Sequence, residues 1–223
     1  MESALSALMA FGSESVLERA YSEARERVDD VDETRSRILD AAYAQFARMG
    51  IQRSTMEDVA RRAGVSRITV YRRFTAKDVL VEHVVRRELR RYFERFLVDV
   101  ERAGTVADRV VLGFVSALRA IRGNPLIGGL IATEPDLLVA AMIGDGGRTL
   151  ASVRQFVAGR LRREQHAGHV AEDLDIDLTA ELMVRVSASF LAVPSQVIDV
   201  DDDDQLAAVA RRFLVPMLGP APA

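Results

Sequence analysis

The chain has 223 residues, 49% of them hydrophobic and none of them cysteine, so it can bury a real core but has neither disulfides nor thiolate metal sites. Its formal net charge of −3 would disfavour a polyanionic partner if it were evenly spread; instead residues 1–32 carry a net −5, residues 33–95 a net +7 and residues 96–223 a net −5. No apolar run reaches the ~20 residues that span a bilayer, and Glu2 stands where a secretory leader needs positive charge, so the expectation is a cytoplasmic protein with no membrane partner.

Every clear period in the chain is helical and no stretch alternates as a strand does, which predicts an all-α fold. Residues 13–28 can form an amphipathic helix through Val16, Leu17, Ala20 and Ala24, followed by an acidic link at residues 29–32. This extension, residues 1–32, is expected to be a mobile tail or a helix packed on protein. Its net −5 opposes the minor-groove contacts that some N-terminal arms make. A strong helix covers residues 34–49, with Ile38, Ala42, Phe46 and Met49 on one face and Gly50 as its stop. Thr55 caps a short helix over residues 56–63, Asp58 takes the capping-box position, and Gly64 ends it. Ser66 caps a helix over residues 67–74, and Thr75 with Asp78 opens another that runs to about residue 102.

Further on, Thr105 with Asp108 starts a helix whose buried side is Val106, Val110, Phe114, Leu118 and Ile121, broken at residues 123–125. Shorter helices punctuated by Pro135, Gly144, Gly146 and Gly147 are expected over residues 125–147. Helices follow over residues 148–165, 177–192 and 203–217, with an acidic loop after the first and Pro194 after the second.

The stretch from Thr55 to Lys77 carries the functional signal. Met56, Val59, Ala60 and Ala63 form the apolar face of one short helix, Val70 and Phe74 that of the next, and Gly64, Val65 and Ser66 make the turn between them. Two helices joined this way cross steeply and share a core with Ile38, Ala42 and Phe46. Arg67, Thr69, Arg72 and Arg73 are left off the core face, where the second helix can enter a DNA major groove. Arginine can bond guanine O6 and N7 together, and threonine can meet a base edge or a thymine methyl. Tyr71 can give its hydroxyl to a phosphate. Lys77, the only lysine among 30 basic residues, stands at the first turn of the following helix where an anion is favoured, and Arg53 can reach another phosphate.

Residues 34–80 resemble the DNA-binding domain of the TetR family of transcriptional regulators. The pattern runs from Phe46, Ala47 and Gly50 through Thr55, Met56, Val59, Ala60, Ala63, Gly64, Val65 and Ser66 to Thr69, Val70, Tyr71, Phe74, Lys77 and Leu80. One position departs from it: Ile68 stands where the family often has glycine. The resemblance implies a domain at residues 33–80 that binds double-stranded DNA, with phosphate contacts on Thr55, Tyr71 and Lys77. Ser66 is included in the expected DNA-binding set. It also implies a helical ligand-binding and dimerisation domain at residues 81–223, and a homodimer whose recognition helices move apart or together when a small molecule binds.

Within that second domain Leu178, Leu182, Val186 and Phe190 recur every four residues, and Leu206, Val209, Phe213 and Met217 line the last helix. These are the expected interface of the homodimer, with burial in the monomer core as the alternative. Phe114, Leu118, Met142, Phe156 and Met183 are the candidate lining of an apolar effector pocket, with core packing as the alternative. No cofactor, metal or catalytic residue is expected. His166 and His169 sit beside Glu172 and Asp173 without a third committed ligand, and residues 201–204, all aspartate, precede a helix whose dipole they stabilise. The expected function is a homodimeric repressor released from its operator by a small apolar or amphipathic effector. An activator or corepressor-dependent regulator with the same reading head is the alternative. A helical enzyme with an incidental basic hairpin is more distant, since the chain shows no nucleophile–base pair, metal set or cofactor loop.

Overall fold

The computed structural model describes residues 16–26, 32–125 and 148–219. The expectations for residues 126–147, including Met142 and Gly144 to Gly147, lie outside them. Among the described residues the regular structure is helical, and the chain falls into two compact units, one built mainly from residues up to Glu94 and the other from Arg95–Gly123 and residues from 148 onward.

The first unit opens with α1, Val16–Glu26. Ala20 and Ala24 are buried, so this part of the extension is a helix packed on protein. Its partner is α5, Lys77–Arg102: the Tyr21 and Phe93 rings meet edge-on at 5.3 Å, and Arg19–Glu82 and Glu23–Arg86 pair at 3.8 and 3.6 Å. Helix α2, Glu33–Met49, starts where Asp32 accepts the Arg35 backbone N–H at 3.0 Å. It stops at Gly50, whose φ of 78° only glycine adopts cheaply. Helix α3, Met56–Ala63, has the full reciprocal box: the Thr55 hydroxyl accepts from Asp58 N–H at 3.1 Å, and Asp58 accepts from Thr55 N–H at 3.1 Å. Gly64, at φ 65°, closes it in the left-handed region, and Arg37 adds a bond to the Ala63 carbonyl at 2.8 Å.

Helix α4, Arg67–Arg73, is capped by Ser66, which accepts from Thr69 N–H at 3.1 Å. The next helix begins later than a Thr75 cap would place it. Its first backbone bond runs from Leu80 N–H to the Ala76 carbonyl at 3.1 Å, so α5 starts at Lys77. The core joins Ile38, Phe46, Val59, Val70 and Phe74 to Leu80, Val81, Val84 and Val85. The expected boundary at residue 80 thus falls inside a continuous helix whose first turns complete this core.

The second unit takes the remainder of α5 and four further helices: α6 Val106–Arg122, α7 Arg148–His166, α8 Ile176–Ala192 and α9 Asp203–Val209. Thr105, Asp175 and Asp202 cap α6, α8 and α9. On α6 the buried stripe is Val111, Phe114 and Leu118, whereas Val106, Val110 and Ile121 are only half-buried. Helix α7 packs on α8, and α6 packs on α8, α9 and the turns that follow α9. The expected single helix over residues 203–217 does not persist. After Val209 it widens into a π turn, Ala210–Leu214, and tightens into a 3-10 turn, Val215–Leu218. Pro216 supplies the reason: it lacks an N–H and its ring clashes with the carbonyl four residues back, so the ladder changes register before it, with Val215 N–H bonding to Ala210.

Candidate nucleic-acid interface

Helix α4 stands on the first core through Val70, which is fully buried, and through Phe74 just after its end. Its outer side carries Arg67, Ile68, Tyr71 and Arg72, all exposed, with Thr69 half-buried. The Arg67 guanidinium lies over the Tyr71 ring at 5.3 Å, so two of the expected contacts brace each other one turn apart. Ser66 and Thr69 share a hydroxyl bond at 2.8 Å that fixes the first turn. Arg53 is exposed on the segment between α2 and α3.

Other expected residues are already engaged. The Thr55 hydroxyl donates to Asp58 at 2.7 Å while accepting its N–H. Those bonds from Thr55 hold the Asp58 carboxyl below the usual carboxylate range, with Arg61 adding to the effect. Lys77 Nζ reaches the Ile51 and Ser54 carbonyls at 3.3 and 3.4 Å. An ammonium has three donors, so one remains for a phosphate. Arg73 pairs with Asp32, the residue that caps α2. The Arg35 N–H and then Arg73 keep that carboxyl low. Of the three arginines placed off the core face of α4, Arg67 and Arg72 are exposed, and Arg73 is tied back into the protein.

Two residues at the edge of this surface escaped sequence reading. The sequence marks Asp32 only as part of an acidic link. His83 is a hub: its Nδ1 accepts from Arg35 at 2.8 Å and from Arg86 at 2.6 Å, and its ring meets Phe74 edge-on at 5.4 Å. The proton therefore belongs on Nε2. Burial, reinforced by Arg86, Arg35 and Arg19, pushes the imidazole down to about 4. The partners lie 41 residues apart for Asp32 and Arg73, and 48 for His83 and Arg35. No local pattern reveals such pairs. The one available signal was an Asp directly ahead of the helix start, and it specified the cap alone.

In the second unit the candidate pocket residues Phe114, Leu118 and Met183 are 4%, 1% and 6% exposed and share one core cluster. Phe156 is half-buried beside Phe96, and Phe114 meets Phe190 edge-on at 5.8 Å. The candidate interface divides. Leu178, Leu182 and Phe213 are 56%, 44% and 58% exposed, and Val186, Phe190 and Met217 are partly buried. Leu206 and Val209, at 0% and 9%, lie in the chain's own core and so cannot serve as the expected interface face. His169 bonds Glu164 at 2.9 Å, and Glu164 also holds Arg109 at 2.9 Å, which makes that histidine part of a loop tie.

Residues 38–84 match the family model of the bacterial regulatory proteins, tetR family. The chain is 28% identical over 187 residues to an uncharacterised HTH-type transcriptional regulator of Mycobacterium tuberculosis (strain CDC 1551 / Oshkosh), covering 84% of this chain and 86% of that protein. It is 28% identical over 161 residues to the HTH-type transcriptional regulator UidR of Escherichia coli (strain K12), covering 71% and 80%. Its fold matches the fatty acid degradation regulator FadR from Bacillus halodurans with a TM-score of 0.58 at 16% identity, over 86% of this chain and 97% of that one.

Proposed function

We propose that this chain is a transcriptional regulator of the tetR type and works as a homodimeric repressor whose α4 helices read the two halves of a near-palindromic operator. The observation that carries the reading is the outer side of α4, where exposed Arg67 and Arg72 flank Tyr71 on a capped helix anchored by Val70 and Phe74. A two-fold dimer would place these helices in successive major grooves, roughly 34–36 Å apart. Leu178 and Leu182 on α8, with Phe213 beyond α9, supply exposed apolar surface for the second copy. A small apolar or amphipathic effector would release the operator by binding better to a dimer with a different helix spacing, since a ligand acts only through such a difference.

The test is binding to a duplex selected from a randomised pool by the full chain. Arg72→Ala is expected to lose about tenfold or more in affinity, the worth of a bidentate base contact. Arg73→Ala is expected to stay close to the parent, because Asp32 already holds that guanidinium. Wild-type affinity in the Arg72 variant would sink the assignment of this surface.

A further inference from the structure

We propose that Ile68 reads a thymine 5-methyl group in each half-site of the operator. The inference rests on the operator-binding reading above and names a base feature that one residue selects. Ile68 is 79% exposed, at the second position of α4, between Arg67 and Thr69. It belongs to neither core cluster. Folding gains nothing from it there: a β-branched side chain is a poorer helix former than most straight-chain residues, and its apolar surface stays in water.

The surroundings say what covers it. Helix α4 reads RITVYRR, with no acidic residue, and Arg72 is exposed one turn beyond Ile68 on the same side. A basic face of that kind draws a polyanion. The bond between the Ser66 and Thr69 hydroxyls at 2.8 Å and the Thr69 N–H on Ser66 at 3.1 Å fix the backbone of the turn that carries Ile68. The first residues of a groove-bound helix are those that meet base edges. An isoleucine side chain has no donor and no acceptor. Of the groups on the major-groove edge, the thymine methyl is the apolar one, so it is the feature such a side chain can select. The arginines fix position through phosphates or guanines, and Ile68 loses its water only when a methyl group meets it.

Each thymine of the selected duplex is replaced in turn by uracil, which keeps the base pair and removes only the 5-methyl group. For the parent chain, one thymine per half-site should lose about fourfold in affinity on replacement, the worth of one buried methyl. Ile68→Ala should bind more weakly and be indifferent to uracil at that position, which gives a closed double-mutant cycle. Its helix content should be unchanged, since alanine is the better helix former and no core contact is lost. Parent affinity within about twofold for uracil at every thymine would overturn the proposal while leaving operator binding intact. So would an equal uracil loss in the Ile68 variant. Failure of the chain to select any duplex would overturn both readings.

Discussion

His83 accepts two arginine hydrogen bonds at one ring nitrogen, which is possible only while the imidazole is neutral. Protonation would place a third positive charge against Arg35 and Arg86. The sign for stability follows from the proton count. The imidazole titrates near 6.5 in the unfolded chain and near 4 in the folded one. Between those values the unfolded state binds more protons, so stability is complete above the upper value and falls as pH falls toward the lower. His83→Gln keeps an acceptor oxygen and does not titrate. Melting temperatures of the two proteins should diverge in their pH slopes between about pH 6.5 and about pH 4, the parent losing more. Parallel slopes would mean that His83 carries no such linkage. Asp32 shows the same kind of economy: one carboxylate caps α2 through the Arg35 N–H and holds Arg73.

At the level of elements, what was legible was local. The starts of α3, α4 and α6 were readable because the capping side chain lies three residues from the N–H it accepts. Glycine stops at Gly50 and Gly64 were readable because positive φ is expensive for any other residue. The division of α8 into faces was not. Leu178, Leu182, Val186 and Phe190 form one stripe by spacing, yet only its first half is exposed; Phe190 instead meets Phe114. Spacing identifies a face, and tertiary packing decides what covers it. The paired change Leu178→Glu and Leu182→Glu tests the exposed half. Sedimentation should show a monomer with the parent's helix content, because neither side chain belongs to the core cluster. A dimer that survives both carboxylates would place the interface elsewhere. Leu206→Ala, at a fully buried site, should instead destabilise the fold by about 2–5 kcal/mol.

On the scale of the whole molecule, the sequence charge is partitioned, not balanced: a net +7 over residues 33–95 lies between segments of net −5 each. Local potential governs encounter with a polyanion, so a chain of net −3 can still be steered to DNA through one region. Counterion release makes any such binding salt-dependent, and site selection is what separates a regulator from a merely basic surface. Hydroxyl-radical footprinting of the parent chain on its selected duplex at physiological salt tests this most directly. Two protected patches about one helical turn apart, roughly 10–10.5 base pairs, are expected on one side of the duplex. Uniform protection along the duplex, or none at all, would contradict it.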